Sequence, residues 1–371
     1  MKIFQKYLNK KVENIRNPNI DFIRIAGMFS IIINHLLTHG RAMRKYSQYD
    51  GLKLLNILGI WHVSSFGIVS GLVGIKTHKF SNLLYLWIVV VFYSVIIFFY
   101  YKFIKNILLL DSLMIYIFPA IYNQYWYFTA YFGMYPFLPF INSAISILNQ
   151  TEFKKCIYFM IGIFFIWGSC FRDPFSQLSG HSPFCLLIYY IFGTYIYKYI
   201  FFMNSTKDFT IITCILSFSL FIIISIVTYK IYIKQTVHKI DSLFSKFMQA
   251  KVNSFPVLSQ SLLVVLLISQ YKFNKYISQV VTFIGPLTFD VYLIHENLLV
   301  RNNYIRNIFN RYDNRLKLLS VLLLVFKKAF DIFCTCIFIS FFRNKIFKIL
   351  RIKNLCIKFE IISTRIMNYL I

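Results

Sequence analysis

The stretch Asp21-Phe-Ile-Arg24-Ile-Ala-Gly-Met-Phe-Ser-Ile-Ile-Ile-Asn34-His35 decides how this chain is read, because it sets an arginine and a histidine inside a run otherwise apolar enough to cross a bilayer. Ionisable side chains at that depth are costly, so their presence points to function. At about 100° per residue, the step from Arg24 to His35 returns within roughly 20° of its start and rises about 16 Å. The two side chains therefore share one helix face. One points toward a membrane surface and the other lies deeper, an arrangement suited to a long substrate that enters with an anionic end and reacts further in. Asp21 falls on the same stripe, one turn before Arg24. Two structural readings stand beside the functional one: Arg24 pairing with Asp21 at i,i+3, and His35 as a hydrogen-bonded interior histidine.

Composition carries the fold class outward from that helix. The 371 residues are 58% hydrophobic and 20% aromatic, with a mean hydropathy of +0.62, which excludes an ordinary soluble domain and fits a bundle of spanning helices. Runs such as Leu83 to Tyr101, Thr210 to Tyr229 and Ser278 to Val300 are near the length that crosses the hydrocarbon core. The first nineteen residues are polar and basic, and the first apolar run lacks a small-residue cleavage site, so that run is expected to stay as the first span. Cys156, Cys170, Cys185, Cys214, Cys334, Cys336 and Cys356 are scattered with no CxxC pair, and no His/Cys cluster has metal spacing, so neither a disulfide framework nor a metal site is expected. The net charge of +27 is spread over short loops and the C-terminal tail and not gathered in one patch. Contact with anionic lipid headgroups accounts for it more simply than nucleic acid does.

Hydropathy predicts an all-α, polytopic transmembrane bundle with about ten spans, near 20–38, 54–75, 81–101, 125–148, 156–171, 184–200, 209–229, 256–271, 279–300 and 320–342. An even count puts both termini on one side, and basic residues at each end, among them Lys2, Lys6, Arg343 and Arg351, place that side in the cytoplasm. The surplus of Lys and Arg over the external segments is small. Residues 1–371 read as a single membrane domain with a core of about 18–350, basic cytoplasmic tails and no appended soluble unit. Lys327, Lys328 and Asp331 interrupt the last span, so residues 315–330 are either part of it or an amphipathic helix along the interface. The external segment near 230–255 carries Lys230, Lys234, Lys239, Lys246 and Lys251 against Asp241, and reads as a solvated loop near headgroups or a contact for an anionic partner.

Four further segments follow the Arg24/His35 helix in order: Ser65-Phe-Gly-Ile-Val-Ser70-Gly71; Lys76-Thr-His-Lys79; Tyr125-Trp126-Tyr-Phe-Thr-Ala-Tyr131 with Pro139-Phe-Ile-Asn142; and Gly285-Pro-Leu-Thr-Phe-Asp-Val-Tyr292-Leu-Ile-His295-Glu296-Asn297. Together with Asp-Phe-Ile-Arg and a histidine eleven residues after the arginine, this series resembles the acyltransferase 3 family of membrane O-acyltransferases, in the form seen in enzymes that acetylate bacterial surface polysaccharides. The resemblance covers roughly residues 18 to 350. It implies transfer of an acyl group, usually acetyl, from acetyl-CoA reached from the cytoplasm to a hydroxyl of a glycan or its lipid-linked precursor. No tightly bound cofactor is implied, the coenzyme being the donor substrate. The expected setting is the cell's inner membrane, with membrane lipids and glycan-assembly machinery as neighbours.

Within that resemblance Arg24 and His35 carry the family's essential pair. The family's Arg-x-x-Arg motif is Lys76-Thr-His-Lys79 here, which keeps the charge and loses bidentate phosphate geometry. Arg24, Lys76 and Lys79 are the expected holders of the coenzyme phosphates. Acyl transfer to a hydroxyl needs a base, and neutral imidazole suits that near pH 7, which makes His35 the candidate. Asp290 stands where the family has glycine and puts a carboxylate into a span, with no role legible in the sequence. His295, Tyr292 and Glu296 share a polar face with structural and functional readings equally open. Trp126 and Tyr131 read as interface or packing aromatics, or as sugar platforms. Ser70-Gly71 reads as a close helix approach, since no Gly-x-Ser-x-Gly elbow marks Ser70 as a nucleophile. His39, His62, His78, His181 and His238 are expected to be wet. Two rival classes remain: a transporter or flippase for an anionic or glycolipid substrate, with Arg24 binding and His35 relaying protons, and a structural subunit of a glycan-assembly complex.

Overall fold

The computed structural model describes residues 16–74, 79–107, 113–170, 175–201, 211–238, 246–248, 250–269 and 271–370, and every regular element among them is helical. The main helices in chain order are α1 (Pro18–Thr38), α2 (Asp50–Gly59), α3 (His62–Gly74), α4 (Phe80–Phe99), α5 (Trp126–Met134), α6 (Gln150–Met160), α7 (Pro183–Tyr195), α8 (Ile211–His238), α9 (Phe255–Ser269), α10 (Lys275–Ile284), α11 (Thr288–His295), α12 (Leu318–Ile349) and α13 (Ile352–Leu370). Among the described residues, six helical runs are long and apolar enough to cross a membrane: Pro18–Lys45, Asp50–Gly74, Phe80–Ile104, Gln150–Cys170, Ile215–Gln235 and Lys275–His295.

The other four predicted spans take other forms. The segment near 125–148 is broken into Trp126–Met134 and Leu138–Ile147 by a tight turn containing Pro136. Residues 184–200 form α7 followed by the π-helical turn Ile196–Phe201, and 256–271 form the 15-residue α9. The 320–342 segment belongs to α12, one continuous helix of 32 residues whose Val321, Val325, Ala329, Ile332 and Cys336 are buried, while Lys327 and Asp331 lie outside that stripe. Both the predicted span and the interfacial alternative are thus parts of a longer packed helix. The C-terminal tail is also helical: α13 lies on α4, where Glu360 accepts the amide of Phe80 at 2.8 Å. Lys239 and Asp241 of the basic external segment lie outside the described residues.

Helix α1 runs through the middle of the bundle and touches α2, α3, α9, α10, α11 and α12. Contact on all sides explains why Ile31, Ile32 and Ile33 are buried in succession, where a surface helix would alternate. Asn17 caps its start by accepting the Asn19 amide, and the Asn19 side chain donates to the carbonyls of Ile268, Ser269 and Tyr271 at 2.8–2.9 Å, closing the otherwise open end of α9. Two core clusters flank α1, one built with α4, α11 and α12 and the other with α3, α7 and α9.

Two devices fix the relative placement of these helices. Helices α3 and α7 meet backbone to backbone: a Cβ on Gly71 would fall 2.0 Å from the Tyr190 carbonyl oxygen, and one on Gly193 would fall 1.9 Å from that of Ile68. This is the close approach that Gly71 suggests, a small-residue contact of the kind that drives helix association where no water remains to be expelled. The second device answers the question posed by Asp290. Its buried carboxylate accepts from Arg343 Nε and from the Tyr93 hydroxyl, each at 2.8 Å, and pairs a second time with Arg343 Nη2. Arg343 also donates to the Tyr85 hydroxyl at 3.1 Å. A carboxylate in place of glycine therefore ties α11 to α12 and α4 through an ion pair that lipid does not reach.

Two stability predictions follow from these contacts. Gly193→Leu lowers the unfolding temperature in detergent sharply, at a cost of about 3 kcal/mol or more, whereas Gly162→Ala, with open space at its Cβ, leaves it nearly unchanged. Asp290→Ala strands Arg343 and costs about 3–5 kcal/mol, and adding Arg343→Met recovers most of that loss in a double-mutant cycle read by thermal unfolding.

Candidate active site

The face of α1 that carries Arg24 and His35 looks into one cavity of about 290 Å³, lined among others by Arg16, Ser70, Trp126, Tyr131 and Tyr292. The helix turns these groups to one side because their spacing is close to three full turns, and α3, α5 and α11 wall the space. At one end, Arg24 Nη1 lies 2.9 Å from Asp21 Oδ1, and Arg16 pairs with both oxygens of the same carboxylate. Asp21 is fully buried and does not face the cavity. It holds the two arginines against the mouth, and Gly285 lets this happen, since a Cβ there would come 2.5 Å from the Asp21 side chain. The structural pairing and the cavity position of Arg24 coexist.

At the deeper end, His35 Nδ1 lies 3.0 Å from Glu296 Oε2, an ion-pair distance without hydrogen-bond alignment, and among the described residues neither atom has another partner. The other carboxylate oxygen accepts from Arg301 Nη1. Glu296 sits where α11 ends, and the chain breaks at Asn297 before resuming in the short helix Leu298–Val300. The last turn of α11, closed by the Glu296 amide on the Tyr292 carbonyl at 3.0 Å, sets Glu296 behind His35. Asn297 secures the break, its amide donating to the Tyr125 hydroxyl at 2.7 Å while that hydroxyl donates to the Leu293 carbonyl. His295 lies beside His35, ring centroids 5.3 Å apart, and its Nδ1 donates 2.6 Å to the Val291 carbonyl, while the buried Nε2 has no hydrogen-bond partner among the described residues. His39 lies 5.2 Å from His35 on its other side.

Of the residues singled out in the sequence, Arg24, His35, Ser70, Trp126, Tyr131 and Tyr292 share the cavity, whereas Asp21, His295 and Glu296 stand behind it. The Tyr292 hydroxyl accepts the amide of Tyr127 at 3.3 Å. Ser70 donates to the Phe66 carbonyl at 2.9 Å, the ordinary helix back-bond, and among the described residues no histidine or carboxylate is bonded to it. Trp126 lines the cavity and packs on the ring of His181 at 4.3 Å. Lys76 and His78 lie outside the described residues. Lys79 is exposed and lines neither cavity. Its carbonyl accepts from Tyr135, which lines a second space of about 120 Å³ sharing Ser70 and Tyr131 with the first.

One histidine departs from the sequence expectation. His62 is buried, not wet; it lines the cavity, and its Nε2 lies 3.1 Å from the Asn34 amide nitrogen. The signal was available, because the predicted second span includes position 62 and the argument about intramembrane ionisable groups applies to it as to His35. The gathering of His35, His39 and Glu296, whose ligand atoms lie within 4.8 Å of one another, was not visible, because Glu296 comes from a helix far along the chain. Arg301 already sits on the same carboxylate as the histidine, an arrangement that supplies positive charge from the protein itself.

The model of the family Acyl_transf_3, described as an acyltransferase domain, matches residues 17–343. No curated protein and no solved structure matches the chain. The matched region contains the whole Arg24 to Glu296 arrangement, and with six helical runs fit to cross a bilayer it identifies the chain as a multi-pass membrane protein that belongs to the acyltransferase 3 family.

Proposed function

We propose that this protein moves an acetyl group from acetyl-CoA to a hydroxyl of a cell-surface polysaccharide, or of its lipid-linked precursor, from the inner membrane and with both termini in the cytoplasm. The observation that carries the reading is the single cavity joining Arg24 at one end to His35 at the other. A space of about 290 Å³ accommodates an extended pantetheine arm and a sugar hydroxyl group, and leaves the nucleotide outside, beside Arg16 and Arg24. Cations at that mouth suit the phosphates of the coenzyme. Lys76 and Lys79 belong to this proposal as further phosphate contacts, on charge and sequence position alone.

In the proposed step the carboxylate of Glu296, able only to accept, draws the His35 proton to Nδ1 and leaves Nε2 free as a base. Nε2 takes the proton of the acceptor hydroxyl as its oxygen attacks the thioester carbonyl. The tetrahedral intermediate collapses with loss of the C–S bond, and the thiolate recovers the proton from the imidazolium. Glu296 acts through His35 and is a positioning residue, with Arg301 steadying its second oxygen. In this step the acetyl group passes directly from the thioester to the acceptor hydroxyl.

In membranes supplied with radiolabelled acetyl-CoA, the intact protein labels glycan, and His35→Ala at equal expression labels none. Uptake or flipping of glycan without label would favour the transporter reading. Glu296→Gln lowers kcat by about 10²-fold or more while leaving the KM for acetyl-CoA within a few-fold, and Glu296→Asp restores part of the rate; equal loss in both variants would reduce Glu296 to a structural pairing. Arg24→Lys raises the KM for acetyl-CoA more than it lowers kcat, because lysine keeps the charge without the fork.

A further inference from the structure

At the far end of α1 from Arg16, an open surface pocket of about 330 Å³ is lined by Arg41, Arg44, Lys45, Asn310 and Asn314. It begins two residues beyond His39, the neighbour of His35, where the chain turns out of α1. Two segments distant in sequence build it. The turn after α1 and the loop before α12 are sewn together by the Asn307 amide on the His39 carbonyl at 3.1 Å and the Phe309 amide on the Gly40 carbonyl at 3.2 Å. Lys45 Nζ donates to the carbonyls of Asn310 and Tyr312, and the hydroxyls of Tyr46 and Tyr49 donate to those of Asp313 and Leu316 at 2.9 Å. Arg41 is held at φ +65°, in the left-handed region that non-glycine residues seldom adopt. These hydrogen bonds fix the backbone of the walls. Asp50 pairs with Lys53, Asp313 with Arg315 and Glu296 with Arg301, and among the described residues no carboxylate pairs with Arg41 or Arg44.

Charge bias adds a second argument. With the termini in the cytoplasm this end of α1 faces outward, where the topology rule leaves no reason for clustered Lys and Arg. The small excess of cytoplasmic over external charge in the sequence traces in part to this cluster.

We infer that the acceptor glycan is anionic and that its carboxylate or phosphate groups seat among Arg41, Arg44, Lys45, Asn310 and Asn314 while one of its hydroxyls reaches His35. The inference rests on the acyl-transfer reading of His35 and supplies its acceptor class. Paired guanidinium groups with amide side chains are donors for oxyanions and offer no acceptor-rich surface to a neutral sugar.

Binding, measured apart from catalysis, tests this. The full chain in phosphatidylcholine nanodiscs is titrated with an oligogalacturonide, with its methyl ester, and with a short glycerol-phosphate oligomer. At least one anionic oligomer binds, the ester binds about tenfold more weakly or worse, and raised salt weakens the anionic binding. The R41Q/R44Q variant, checked for an unaltered unfolding temperature, loses about tenfold or more in affinity for the anionic oligomer. If the variant does not fold, Arg44→Gln alone, at an exposed position, gives the same test with a smaller loss. Equal affinity for oligogalacturonide and ester, no binding of either anionic oligomer, or an unchanged variant would overturn the inference. So would a wild type that ignores both oligomers and instead enriches phosphatidylglycerol from mixed nanodiscs in an Arg44-dependent way, which assigns the cluster to headgroups. Binding as expected but no acetyl transfer to any glycan would strike the reading of His35 and leave the anion site standing.

Discussion

A carboxylate withdrawn from water and lipid has to be answered from within the protein, and the arrangement of this bundle follows from how three of them are answered. Among the described residues the buried carboxylates are Asp21, Asp290 and Glu296. Each meets an arginine: Asp21 holds Arg16 and Arg24, Asp290 holds Arg343, and Glu296 holds Arg301. An uncompensated charge at such a site costs several kcal/mol, so the helices that carry these partners are held in register by electrostatics as well as by packing. Asp290 and Arg343 close on each other, with two tyrosines taking up the remaining contacts, and nothing chemical is left over. Glu296 differs because its second oxygen faces an imidazole that also borders a cavity.

That difference separates a structural ion pair from a site. A buried pair whose members face only each other contributes specificity of packing. When one member also borders a space large enough for part of a substrate, the same pair sets a proton's position. Glu296 closes the last turn of α11, its amide on the Tyr292 carbonyl at 3.0 Å, and that turn presents its side chain to α1 before the helix breaks at Asn297. Asp21 plays the matching part at the other end, orienting arginines at the cavity mouth and relying on Gly285 for the room to do so.

Much of the fold was legible in the residues. Length, hydropathy and the Arg24/His35 spacing are local quantities, and they predict a helical membrane protein with both groups on one face. The order of short motifs suffices for the family, which the match over residues 17–343 establishes. The count of spans was less legible, because hydropathy windows see apolar content and not breaks: the segment that opens with α5 and is interrupted at Pro136, the short α9 and the charged α12 all pass a window without being single spanning helices of standard form. Glycine contacts were half visible. Gly71 suggests a close approach, but its partner Gly193 lies far along the chain and only packing joins them.

The sequence by itself determined the phase of α1, because a helix's 3.6-residue period fixes which of its own side chains align whatever surrounds it. Only the tertiary structure decided what faces them. Glu296 behind His35, Arg343 against Asp290, His62 on the cavity wall and the joining of Lys45 to Asn310 are contacts between segments separated by many residues. They arise from how buried polar groups find partners once the helices pack, and no local pattern encodes that pairing.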